Sequence, residues 1–98
     1  MPVVQVTAWD TFLVLTRGLL PALAARPTDA EVLKTQLGRV EIRVARYAPL
    51  WGAHGPMLEA ALRTGVLLYQ DGDHDALADL MQGVADRLYL LSAGTSGA

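Results

Sequence analysis

The sequence predicts an all-α fold, an up-down antiparallel four-helix bundle that associates with copies of itself. Two patterns point to the helices: four stretches carry apolar residues at helical spacing, and short breaks with helix-start residues separate them. Short links between helices favour antiparallel neighbours. Composition points to the assembly. Apolar residues make up 52% of the 98 residues and charged residues 18%, against about 45–50% and about 25% in ordinary soluble domains. A chain of one-domain size then has little polar surface to cover itself, and a homodimer is the expected remedy.

Residues 1–7 read as an N-terminal arm, because Val3, Val4 and Val6 are β-branched and too few to build a sheet. Thr7 reads as the N-cap of helix one, with Asp10 placing negative charge in the first turn. Helix one, residues 8–25, is apolar around most of its circumference. Asp10, Arg17 and Pro21 share one narrow stripe, while Trp9, Phe12, Leu13, Leu15, Leu19, Leu20 and Leu23 occupy most of the rest. Thr11, Gly18, Ala22 and Ala25 form a flank of small residues that another backbone can approach. Phe12, Leu15, Gly18, Leu19 and Ala22 are therefore expected to lie in the self-association surface. Pro21 removes one backbone hydrogen bond and crowds the carbonyl of Arg17, which predicts a kink near Arg17 and Gly18 rather than a break.

After Arg26-Pro27, Thr28 and Glu31 fit a capping box at the start of helix two. Leu33, Leu37, Val40, Val44 and Tyr47 follow in alternating steps of four and three, a bundle seam. Ile42 points away from that seam and joins the expected interface. Residues 48–55 hold Pro49, Trp51, Gly52 and His54 and form the longest connection. Pro56 suits the first turn of helix three, which buries Leu58, Ala61, Leu62, Gly65 and Tyr69 and leaves Leu67 outside, again an interface residue. Asp71-Gly72-Asp73 is a turn, with Asp73 or His74 capping helix four. Leu77, Leu80, Met81, Val84, Leu88 and Leu91 line one side of that helix; Asp75, Asp79, Gln82 and Asp86 line the other. The bundle domain spans residues 8–93, and 94–98 read as a disordered tail.

Up-down topology sorts side chains to ends. Trp9, Tyr47, Trp51, His54 and Tyr89 belong to one end, which makes them the candidate ligand site. No carboxylate, serine or second ligand stands close in sequence to His54 to complete a catalytic set. The run Asp71-Gly72-Asp73-His74-Asp75 begins like a calcium loop, but Ala76 and Gln82 occupy the positions that need glycine and a bidentate glutamate. Those acids read instead as a helix cap. No Glu-x-x-His motif occurs for a dimetal centre, so no metal, cofactor or catalytic residue is expected.

Net charge is −2 and cysteine is absent. The first gives no electrostatic footprint for nucleic acid or an anionic membrane, and the second removes disulfide scaffolds and thiolate sites. Arg39, Arg43 and Arg46 form a basic stripe on helix two, expected to pair with the acidic stripe Asp75, Asp79 and Asp86 within the chain or across a dimer, or to be simply solvated. Helix one has no basic segment before it, carries Arg17 and falls short of the roughly 20 apolar residues of a membrane span. The expectation is a cytoplasmic, non-enzymatic interaction or structural module that self-associates. The other expectation is a small-molecule or metal binding protein, such as an enzyme subunit, that uses the aromatic end. Arginine outnumbers lysine seven to one, the composition of a GC-rich bacterial genome.

Overall fold

The computed structural model describes residues 2–94, and every regular element among them is helical. Helix α1 runs Val3–Ala24, α2 runs Ala30–Tyr47, α3 runs His54–Gln70 and α4 runs His74–Ala93. One 3-10 turn, Ala48–Leu50, follows α2. The four helices pack together: α1 lies against α2 and α4, and α3 lies against the same two. The radius of gyration is 12.9 Å, close to the roughly 13 Å of a compact domain of this length.

α1 starts earlier than its sequence suggests. Val3–Thr7 are helical rather than an arm, and Thr7 is no cap: its Oγ1 donates to the Val3 carbonyl at 2.7 Å one turn back. Val4 explains the early start, because it packs against the core and extends the stripe of Ala8, Thr11, Leu15, Leu19 and Leu23 by another turn. Burial overrides the strand preference of valine. The tail read at residues 94–98 lies outside the described residues except for Gly94, which ends α4 in the left-handed conformation at φ 75°.

Pro21 neither breaks α1 nor stands alone as a kink. Residues Leu15–Leu19 form a π-helical turn, in which the Leu20 amide donates to the Leu15 carbonyl five residues back. A widened turn just before the proline absorbs the donor that proline lacks and the crowding of its ring, and the helix continues to Ala24.

Two helix starts keep a side-chain cap, one of them a residue later than expected. Asp29, not Thr28, caps α2: its Oδ1 accepts from the Glu31 and Val32 amides at 3.0 and 3.2 Å. Thr28 instead donates to the Ala25 carbonyl at 3.2 Å. Asp73 caps α4 by accepting from the Ala76 amide at 3.1 Å. In the α2–α3 connection the Trp51 amide donates to the Ala48 carbonyl at 3.0 Å and the Gly55 amide to the Gly52 carbonyl at 3.1 Å. Gly55 is buried, and a Cβ there would collide with the Ala48 carbonyl. Backbone cannot yield as a side-chain tip can. Gly55→Ala is expected to cost about 1–3 kcal/mol as overpacking, read as a lower urea midpoint with unchanged slope.

The core joins all four helices. Leu15, Leu19, Leu33, Val40, Val44, Leu58, Leu77, Met81, Leu88 and Leu91 are almost fully buried. Two of these, Leu15 and Leu19, correct the expected interface, because both are 0% exposed inside a single chain.

Candidate functional site

The five candidate residues at the aromatic end divide into separate groups. Trp51 is 3% exposed, its ring tilted against Tyr47 at 6.1 Å, and its indole N–H donates to Thr7 Oγ1 at 3.0 Å. It plugs the space between the α2–α3 connection and α1. Trp9 stacks on Phe12 at 5.2 Å, and Phe12 meets Tyr89 of α4 at 5.7 Å. That second group lies on the surface, with Trp9 44% and Tyr89 53% exposed. His54 opens α3, where its amide donates to the Trp51 carbonyl at 3.1 Å. Its Nδ1 is buried without a hydrogen-bond partner.

An apolar groove of about 270 Å³ runs beside Trp9, lined by Gln5, Val6, Trp9 and Ser92. Neither Trp51 nor His54 borders it. Among the described residues no three His, Asp or Glu side chains gather where a metal ion could sit.

The charged stripes stay largely separate. Arg43 Nε meets Asp10 Oδ2 at 3.2 Å, the ion pair among the described residues, and joins α2 to α1 rather than to α4. Arg39 and Arg46 are exposed, as are Asp75, Asp79 and Asp86. Asp86 accepts from Gln82 Nε2 at 3.2 Å. Within the chain the two stripes do not pair: Arg43 meets Asp10 instead, and the other members stand in solvent. Periodicity alone could not show this, because it says which residues share a face and not which faces meet.

Gly18 also changes role. A Cβ on it would collide with the Gln36 side chain of α2, so the close approach it permits is made within the chain. Gln36 Oε1 is buried there without a partner. Phe12 and Ala22 are partly buried against the core. Of the expected interface residues, only Ile42 and Leu67 stand well exposed, at 60% and 61%. Each sits opposite the buried stripe of its own helix, apart from α1.

The apolar surface that sequence reasoning did not single out lies along the outer side of α1. Val3, Val6 and Trp9 are 57%, 45% and 44% exposed and Leu13 is half-buried, whereas Leu20, just past the π-helical turn, packs against the core. At 22 residues and mean hydropathy 1.2, α1 is long and apolar enough to cross a membrane by length and composition, yet its inner side forms part of the core. The early start at Val3 supplies the length that the span from Ala8 lacked.

Glu41, which the sequence reading passed over, borders a cleft of about 130 Å³ between α2 and α3 with Val44, Glu59, Leu62 and Arg63. Burial raises its pKa above the ordinary value of 4.5. The folded state therefore holds the proton to higher pH than the unfolded chain, and stability falls as pH rises through the window between 4.5 and the raised value. Glu41→Gln is expected to melt higher than the native chain at neutral pH. The difference should shrink in acid, where both states carry the proton, as thermal melts across pH would read.

No family model matches the chain, and neither the curated proteins nor the solved structures contain a match.

Proposed function

We propose that this chain is a small, non-enzymatic helical module that self-associates, as a homodimer, and serves as an interaction or structural element in the cytoplasm. The observation that carries the reading is the exposed apolar group Val3, Val6 and Trp9 in the first turns of α1, which the chain's own helices leave uncovered. Contiguous apolar surface of this kind marks contact sites, whereas single exposed residues such as Ile42 and Leu67 are ordinary.

The arrangement belongs to the same reading: an up-down antiparallel bundle. Its support lies in pairs whose numbers run in opposite directions. Gly18 meets Gln36, Asp10 meets Arg43 and Thr7 meets Trp51 between α1 and the α2 segment; Phe12 meets Tyr89 and Gln5 meets Gly94 between α1 and α4. Gly65 against Met81 and Leu77 adds the contact of α3 with α4.

Light scattering on Val6→Glu and Ile42→Glu tests the reading. Val6→Glu is expected to shift the chain to monomer at concentrations where the native chain is dimeric, and Ile42→Glu to leave the dimer intact. The opposite ranking would move the interface to α2.

The groove beside Trp9 favours a second reading, capture of a small apolar ligand by Trp9, Val6 and Gln5. Trp9 fluorescence in a Trp51→Phe background, unmoved across a panel of apolar metabolites, would remove it.

A further inference from the structure

The cleft between α1 and α2 holds a charge arrangement that neither helix shows alone. It measures about 290 Å³ and is lined by Leu13, Val14, Arg17 and Gly18 of α1 and by Gln36 and Arg39 of α2. Both arginines are exposed, and neither has an ion pair among the described residues. Asp10, the acid of α1, is taken by Arg43, which also donates to the Arg39 carbonyl at 3.3 Å. No acid lines the cleft. Other clefts differ: the one beside Glu41 also carries Glu59, and another sets Asp75 and Asp79 beside Arg26. The positive charge between α1 and α2 is therefore uncompensated, on a chain whose net charge is −2.

Packing brings the two arginines to one place. Gly18 has no side chain, and Gln36 fills the space where a Cβ would stand. α2 therefore lies close against the π-helical turn Leu15–Leu19, which holds Arg17. Arg39 comes three residues after Gln36 and so shares its face of α2. The Gln36 side-chain amide makes no hydrogen bond among the described residues, and its Oε1 is buried. An orphaned amide of this kind calls for a partner from outside the chain. Its Nε2 hydrogens are free to donate beside two guanidinium groups.

Such a donor set selects an oxyanion. Guanidinium groups match the paired oxygens of phosphate and carboxylate. Two unpaired cations favour a dianion over a monoanion, and a phosphate monoester carries about −1.5 to −2 charge at pH 7. The volume lies at the lower bound of small-molecule sites, roughly 300 Å³, so the ligand is small. Leu13 and Val14 offer its organic part an apolar wall.

We propose that this cleft binds a small phosphate monoester, held by Arg17, Arg39 and the Gln36 amide, with its organic part against Leu13 and Val14. The inference does not rest on self-association.

Titration calorimetry of the full chain with phenyl phosphate, at fixed ionic strength, tests it. Saturable binding of one ligand per chain is expected. Arg17→Gln and Arg39→Gln, both at exposed positions, should each weaken it at least about tenfold, the loss of a charge-assisted contact. Gln36→Glu, nearly the same in shape, should abolish it. Arg46→Gln, on α2 but outside the cleft, should leave it unchanged. Absence of saturable binding by the native chain would overturn the proposal. So would an equal loss from Arg46→Gln, the mark of diffuse attraction to the arginines of α2. Benzoate bound as tightly as phenyl phosphate would give the cleft to carboxylates and overturn it. An RNA oligonucleotide bound where phenyl phosphate is not would give it to a nucleic-acid backbone, again overturning the proposal.

Discussion

Trp51→Ala is expected to remove about 3–5 kcal/mol of stability, a large share of the roughly 5–15 kcal/mol that holds an ordinary domain folded. The residue is 3% exposed and supports Tyr47 on one side. Truncation leaves a cavity where the α2–α3 connection meets α1, and leaves the Thr7 hydroxyl without its donor. Two further variants divide the effect. Thr7→Val keeps the packing but leaves the buried indole N–H unpaired, a cost of about 1–3 kcal/mol. Trp51→Phe keeps most of the apolar contact and should fall between the others. Urea melts monitored by circular dichroism give all three values; a Trp51→Ala midpoint equal to that of the native chain would show that Trp51 does not hold the connection.

Leu19→Ala is expected to lose about 2–5 kcal/mol of stability. Leu19 is 0% exposed and sits in the π-helical turn of α1, where it joins the core shared with α2 and α4. The same change at Ile42, 60% exposed on the outside of α2, should be within about 0.5 kcal/mol of neutral. Chemical melts at fixed protein concentration separate the two residues, which the sequence had assigned to one interface. If Leu19→Ala instead left the melt unchanged and altered only the solution mass, its burial would belong to the dimer.

The helices were legible because their inner faces repeat. Leu33, Leu37, Val40 and Val44 on α2, and Leu77, Met81, Val84, Leu88 and Leu91 on α4, are buried as their spacing predicts. Asp73 is the cap its position suggests. α1 was less legible because nearly all its residues are apolar, so its sequence does not say which side faces the core. Leu15 and Leu19 went to the wrong side for that reason. The small residue Gly18 correctly signalled a close approach, yet the approaching group is the Gln36 side chain of the same chain. Thr7 carried a cap signal, but Val4 extends the buried stripe past it and carries the helix back to Val3.

The candidate site was legible only as a list of aromatic residues. That Trp51 and Tyr47 form one group and Trp9, Phe12 and Tyr89 another depends on how α1 rotates against its neighbours. The Asp10–Arg43 pair is likewise a product of helix rotation. Spacing within one helix contains neither.

Light scattering coupled to size exclusion, across a wide range of concentration, tests the central claim of self-association most directly. The expected result is a mass twice that of one chain, falling toward one chain on dilution. A mass of one chain at every concentration would contradict it, since the outer side of α1 would then stand open to solvent without a second copy.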